Sequence, residues 1–271
     1  MNIVIRKVAD PAYLRTDQYK DASNLDARAR LHERFSTNQY GWHRWVFDRL
    51  DFPTTCDVLE LGCGPGYLWA QNHERIPEGW KITLSDLSPG MVQEARRNLR
   101  ASRHLWRFEV SDAQCVPFAD QSFDSVIANH MLYHVPDRDN ALAEIRRVLR
   151  RGGRLYASTV GQTHLKELSE LVHRFDPRAD PERGQPAESF LLENGEEQIS
   201  MWFPQVAMHR YGDALVITEA EPLVDYVTST ITWADCVRDR LAEFSSFVER
   251  ELAMHGSIHI TKDSGIFVAF G

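Results

Sequence analysis

Apolar and polar positions follow two rhythms through the middle of the chain. Between about residues 57 and 160, short apolar runs alternate with stretches whose apolar positions recur every three or four residues. The runs read as buried strands and the stretches as helices with one buried face. Strands are predicted from about Asp57 to Leu61, Trp80 to Ser85, Trp106 to Val110, Ser125 to Ala128 and Arg154 to Thr159. A short helix is expected around Tyr67 to Asn72. Another opens at Ser88-Pro89, a capping hydroxyl followed by proline, and turns Met91, Val92, Ala95 and Leu99 inward. A third runs from Asp137 to Arg151 with Ala141, Leu142, Ile145, Val148 and Leu149 on one face, and Gly152-Gly153 are read as its stop. Repeated strand-helix alternation predicts an α/β fold with a doubly wound, parallel sheet. In such sheets ligands bind outside the carboxyl ends of the strands, so each predicted strand end faces one crevice.

The flanks are less regular. Residues 12–40 are polar, with Tyr13, Tyr19, Phe35 and Tyr40 scattered without a strong period, and read as an arm with one or two short helices. Asn38 is the expected cap of a following helix that buries Trp42, Trp45, Val46 and Leu50. The last third predicts helices over His164–Arg174, Glu193–Trp202, Glu221–Val227 and Ala234–Met254, and a polar stretch from Asp176 to Pro186. Strands are expected at Val206–Tyr211 and Ala214–Thr218, and a closing hairpin from Ile258–Ile260 and Ile266–Phe270 around Lys262–Gly265. The domain reading is a single domain over 1–271: arm 1–53, core 54–160, cap 161–260 and final strand 261–271.

Composition adds exclusions. With 271 residues, 43% hydrophobic and 26% charged, the chain is of ordinary globular make-up. No apolar run approaches the roughly 18 residues of a membrane span. Met1–Asp10 is short and charged, so it is not read as a secretory signal, and the cytoplasm is the expected location with no membrane partner. A net charge of −8 argues against a nucleic-acid partner. The arginine clusters at Arg96–Arg107 and Arg146–Arg154 read as solvated helix faces. Four cysteines without a C-x-x-C pair indicate neither a zinc ribbon nor a redox site, and no metal is expected.

Candidate chemistry gathers at the strand ends. Val58-Leu59-Glu60-Leu61-Gly62-Cys63-Gly64-Pro65-Gly66 leaves a strand through three glycines spaced by one. A dinucleotide fingerprint has G-x-G-x-x-G, and Glu60 would repel its phosphates; a positively charged ligand suits it better. Asp86 lies 22 residues past Gly64, at the end of the next strand, where a carboxylate can accept from both hydroxyls of a ribose. Asp112, followed by Ala113, can accept from an exocyclic amine, while Leu87 and Met91 offer apolar faces to a purine. Each acid alone would be a helix cap or a solvated turn. Together at successive strand ends they form one site.

In order, Leu59–Gly66, Ser85-Asp86-Leu87-Ser88-Pro89-Gly90-Met91, Asp112–Phe118, Ser122–Val126, Leu132-Tyr133-His134-Val135 and Leu149–Gly153 resemble the successive motifs of the class I S-adenosylmethionine-dependent methyltransferases. They are most similar to the ubiquinone/menaquinone-methylase-like branch, over about residues 40–160. The resemblance implies a Rossmann-like, mostly parallel seven-stranded sheet with an antiparallel terminal strand, a helical N-terminal arm and a C-terminal cap insertion. It implies S-adenosylmethionine as cofactor: Glu60, Gly62, Gly64 and Gly66 at its methionine part, Asp86 at the ribose, Leu87 and Met91 flanking the adenine, Asp112 and Ala113 at its amino edge, and Asn129 near the methyl. It implies methyl transfer to an O or N nucleophile of a small molecule, by a monomer or homodimer. An RNA-modifying methyltransferase and a non-catalytic cofactor-binding subunit are the alternatives; a nicotinamide dehydrogenase fits the glycine spacing poorly. Asn129-His130-Met131-Leu132 departs from the Asn-Pro-Pro-Tyr of enzymes acting on amide or adenine nitrogens. His130 and His134 are the candidate bases, with His134 also readable as a structural member of its turn. Tyr19 and Tyr40 are candidates to close over the cofactor, and Trp202, Phe203, Tyr211, Tyr226 and Trp233 to line a substrate pocket or pack the cap.

Overall fold

The computed structural model describes residues 7–179 and 189–271. Its seven-stranded sheet contains β1 (Cys56–Leu61), β2 (Trp80–Asp86), β3 (Trp106–Val110), β4 (Phe123–Asn129), β5 (Leu149–Val160), β6 (Gln205–Ile217) and β7 (Ile258–Phe270), in the order β3-β2-β1-β4-β5-β7-β6. Strands β1 to β5 pair in parallel, and β7 runs antiparallel to both β5 and β6. Strand order reverses at β1, which pairs with β2 on one side and β4 on the other. A crevice opens at that reversal, beyond the carboxyl ends of both strands.

The central strands are apolar because both faces of the sheet are covered. Val58, Leu59, Leu61, Val126, Ile127 and Ala128 are buried. The flanking helices start on local signals. Ser88 accepts from the Met91 N–H at 3.3 Å to cap the helix Pro89–Asn98. Asp137 accepts from the Asn140 N–H at 3.0 Å to cap Arg138–Val148.

Five expectations change. Gly152-Gly153 do not end the helix: it stops at Val148, Leu149 is already extended, and both glycines lie inside β5. They serve an irregular start to the strand, where a β-carbon on Gly153 would stand 3.0 Å from the Asp124 carbonyl oxygen and the β4–β5 register shifts. Asn38 is not the cap of Trp42–Phe47; that position is Gly41, and Asn38 instead donates through its side chain to the Gly212 carbonyl at 2.9 Å. The two short strands at 206–218 are one strand, β6. The closing hairpin is replaced by one strand, β7, which pairs with β6 from Ile258↔Ile217 to Phe270↔Gln205. Gly265 marks close approach rather than a turn, since a β-carbon there would meet the His209 carbonyl oxygen at 2.6 Å. The helix read over Ala234–Met254 is broken at Arg238–Arg240 into Ala234–Val237 and Leu241–His255.

The arm is anchored. Leu31 and Phe35 of the helix Ser23–Phe35 are buried with Leu215, Leu223 and Val227 of the cap, and Ser36 bridges to Leu215 of β6. Residues 1–6 of the N-terminal reading and residues 180–188, within and beyond the polar stretch read over Asp176–Pro186, lie outside the described residues.

Candidate active site

The loop after β1 is shaped by its glycines. Gly62, Gly64 and Gly66 have φ of 65°, 52° and 75°, a region costly for residues with a β-carbon. At Gly62 a β-carbon would also stand 2.7 Å from the Met131 β-carbon, just past β4. The loop therefore sits directly against the other side of the switch point. Gly66 is placed differently: it precedes the helix Tyr67–Ala70 and packs on Ala95 and Leu99, off the cavity wall that Gly62 and Gly64 line. The Asp86 carboxylate locks this loop to the next, accepting from the Gly64 N–H at 2.9 Å and the Ser88 N–H at 2.8 Å. Burial raises its pKa to about 6, against those two bonds, so it is ionised at pH 7.

Glu60 is buried beneath the loop. It accepts from Trp69 Nε1 at 2.5 Å and from Asn129 Nδ2 at 3.2 Å, while Asn129 accepts from Ser158 Oγ at 3.1 Å. Burial pushes its pKa up to about 8, opposed by those hydrogen bonds and helped by the charge of Asp86. A carboxyl held in that balance is poised to ionise when a cation arrives. At the end of β3, Asp112 accepts from the Gln114 N–H at 2.9 Å and its side-chain amide at 3.0 Å, and Leu87, Met91 and Ala113 line the same cavity.

The arm closes over this row. Ser88 Oγ donates to the Tyr19 carbonyl at 2.6 Å, and the Lys20 carbonyl oxygen comes so close to Gly90 that a β-carbon would stand 1.8 Å from it. Glycine at 90 is thus required by the docked arm. The Tyr19 hydroxyl donates to His134 Nε2 at 2.9 Å, and His134 Nδ1 donates to the Val8 carbonyl at 2.8 Å. Both ring nitrogens are consumed and the tautomer is set, so His134 ties the arm to the core, the structural one of its two sequence readings. Burial holds its pKa down at about 4. Tyr19→Phe is expected to lower affinity for S-adenosylhomocysteine about fivefold, the worth of roughly 1 kcal/mol for one hydrogen bond, and to speed hydrogen exchange in residues 7–22. Calorimetry and exchange mass spectrometry check the two halves of that expectation.

His130 lines the cavity at φ 48°, a conformation rare for a residue with a side chain, held by its N–H donating to Ser158 Oγ at 3.0 Å. Its ring packs on Trp42 with centroids 5.0 Å apart. Burial, then His164, His43 and Lys262, push its pKa down to about 3, so the ring is neutral at pH 7. Of the cap aromatics, Tyr226 reaches the cavity; Phe203 and Trp233 are core, and Tyr211 packs on Trp42 and Trp45. Tyr40 reaches the wall, but its hydroxyl is turned to Asp48 at 2.5 Å.

All these strand ends open on one cavity of about 820 Å³. Its wall also holds Arg28, His32, His164 and Lys262, none of which the sequence reading singled out. No local signal marked them: they come from the arm, from beyond β5 and from β7, and meet only in the folded chain. Trp69, the donor to Glu60, was likewise missed, although a donor nine residues after an acid buried at a strand end is a readable pairing.

The methyltransferase domain family matches residues 59–157, the stretch that carries this row of strand ends. Residues 59–157 form a class I S-adenosylmethionine-dependent methyltransferase domain. The chain is 35% identical over 113 residues to the ubiquinone/menaquinone biosynthesis C-methyltransferase UbiE of Desulfotalea psychrophila, covering 42% of this chain and 45% of that protein. It is 35% identical over 120 residues to the malonyl-[acyl-carrier protein] O-methyltransferase of Hahella chejuensis, covering 44% and 42%. It thus spans less than half the length of these curated relatives. Among solved structures it resembles the methyltransferase in a complex with the Haloferax volcanii Trm112 activator, with a TM-score of 0.54 and 21% identity over 92% of this chain and 96% of that one. That likeness shows a shared fold. The methyltransferase fold and family expected from the motifs are both found, and the cofactor of the family is S-adenosylmethionine.

Proposed function

We propose that the protein transfers a methyl group from S-adenosylmethionine to an O or N nucleophile of a small molecule enclosed between sheet, arm and cap. The observation that carries this reading is the single cavity: the strand-end acids line one part of its wall, and the docked arm covers them. The donor set suits the cofactor. Glu60 would face its ammonium, the Gly62–Gly64 backbone its methionine part, Asp86 the ribose hydroxyls, and Asp112, Ala113, Leu87 and Met91 the adenine, with Asn129 near the methyl. When bound, the cofactor supplies a methyl on a sulfonium; the nucleophile–carbon bond forms as the sulfur–carbon bond breaks, and the electron pair stays on sulfur. The chain's task is then alignment and exclusion of water. A proton lost by a neutral nucleophile would pass to water or to His130, whose lowered pKa makes it a weak base.

The relatives include a C- and an O-methyltransferase, so family alone leaves the acceptor atom open. A roofed cavity of small-molecule size supports a small acceptor over RNA, as does the pairing of Arg147, Arg150 and Arg154 with Glu144, Asp57, Asp124 and Asp51. Release of S-adenosylhomocysteine, followed by mass spectrometry against panels of small O and N nucleophiles and against bulk RNA, tests the reading. Turnover with the small molecules is the expected result; turnover confined to RNA would overturn it.

A further inference from the structure

The acids and bases of the cavity wall occupy opposite halves of the sheet. Glu60, Asp86 and Asp112 mark the ends of β1, β2 and β3. His130 follows β4, His164 lies beyond β5 and Lys262 sits on β7, in the other half of the strand order. To that second half the arm helix Ser23–Phe35, tied to β6 through Ser36, adds Arg28 and His32.

The charges in this basic half do not balance. Lys262 is spent on Asp213, with Ser36 Oγ as a further partner at 3.1 Å. Asp263 is spent on Arg210, and Glu33, also on the wall, is exposed. Arg28 has no ion pair among the described residues. Its Nε donates to the Asn24 carbonyl at 3.0 Å, and its Nη2 is sealed from solvent with no partner among the described residues. The guanidinium lies 5.6 Å from the centre of the Tyr19 ring, with the phenols of Tyr133 and Tyr226 as further neighbours. His32, one turn along the same helix and edge-on to Tyr226 at 5.7 Å, has an equally sealed and unpartnered Nδ1. Burial disfavours the Arg28 charge, and the tyrosines around it, Tyr19 foremost, offset that burial and raise its pKa. Yet no carboxylate faces it among the described residues, and a ligand of opposite charge would supply that partner. A cationic ligand in the same place would be repelled.

We propose that the methyl acceptor is an anion, a small molecule bearing a carboxylate or a phosphate, whose charged group is held by Arg28 with His32 beside it. This rests on the methyltransferase reading of the cavity. The cofactor's own carboxylate is the competing occupant of Arg28, and the test below separates the two. Arg28 stands among Tyr19, Tyr133 and Tyr226 and acts on His32 and His134. The same site explains the depressed imidazoles. Burial and neighbouring cations hold His32, His130 and His164 neutral, and an arriving anion would offset the cations.

The test uses the full chain saturated with S-adenosylhomocysteine and four phenyl probes that differ in their polar group: benzoate, phenyl phosphate, benzamide (the neutral isostere of benzoate) and benzylamine. Benzoate or phenyl phosphate is expected to raise the Tm, and the stronger of the two identifies the anion class; benzamide and benzylamine are expected to leave it unmoved. Arg28→Gln should weaken the anion's binding tenfold or more, by about the worth of a charged hydrogen bond, while Arg28→Lys keeps part of it. Binding of 5′-methylthioadenosine, which lacks the amino-acid part of the cofactor, serves as the folding control for both variants. Equal shifts from benzamide or benzylamine overturn the inference, as does an unchanged anion shift in Arg28→Gln. So does a loss in Arg28→Gln of affinity for S-adenosylhomocysteine but not for 5′-methylthioadenosine, which would assign the guanidinium to the cofactor. Cofactor binding with no response to either anion overturns the inference and leaves the methyltransferase reading standing. An anion response without cofactor binding does the reverse.

Discussion

Asp86→Ala is expected to raise the dissociation constant for S-adenosylhomocysteine about a hundredfold, or roughly 2.7 kcal/mol, while the chain remains folded. Two effects add. The ribose hydroxyls lose a charged acceptor, and hydrogen bonds to charged groups contribute about 1.5–3 kcal/mol. The Gly64 and Ser88 N–H groups also lose their partner, so the glycine loop and the start of the helix Pro89–Asn98 are no longer held in register. Those two orphaned donors should lower the Tm as well. Asp86→Asn separates the effects: its amide oxygen keeps one acceptor, but its NH₂ cannot accept from the second N–H. Calorimetry gives the affinity and thermal unfolding the stability. Wild-type affinity in Asp86→Ala would remove Asp86 from the ribose site.

The second large effect is a pH dependence of cofactor affinity set by Glu60. Its pKa in the free protein is about 8, chiefly through burial, so at pH 7 the protonated form predominates. An ammonium beside it is stabilised by the carboxylate and not by the acid, so binding expels the proton. The sign follows from linkage: affinity rises with pH while the free protein holds more protons than the complex, by about tenfold per unit below pH 8, and levels off above. Titrations of S-adenosylhomocysteine between pH 6.5 and 8 in buffers of different ionisation enthalpy would show the slope and count the proton released. Glu60→Gln should flatten the slope, with the gap to wild type smallest at pH 6.5 and widest at pH 8. A flat wild-type profile would mean that Glu60 does not meet the ammonium.

The cofactor half of the site was legible because its code is local. A strand and a turn lie within ten residues of each acid, and a helix start as well for Glu60 and Asp86, so Glu60 with its glycines, Asp86 before Ser88-Pro89, and Asp112 before Ala113 carry their own context. What misled was also local. Gly152-Gly153 and Lys262–Gly265 look like a helix stop and a turn, yet both serve strands: close approach of a neighbouring backbone selects glycine at 153 and 265, and a φ of 73° selects it at 152. Helix starts at Ser88 and Asp137 were readable, whereas Asn38 was drawn away from its expected cap by Gly212, a partner 174 residues on.

By itself, then, the sequence determined the alternation of strand and helix, the glycine loop, and the row of acids that matches a methyltransferase domain. These rest on periodicity, backbone sterics and side-chain chemistry within a few residues. The tertiary structure alone decided that His134 is a tie to Tyr19, 115 residues away, and that the arm docks through the Tyr19 and Lys20 carbonyls on Ser88 and Gly90. It also decided that Arg28 and His32 meet His130, His164 and Lys262 there. Each of those residues is an ordinary polar residue in its own neighbourhood. Their meaning comes from burial and from one another's charge, which exist only once segments distant in the chain have packed.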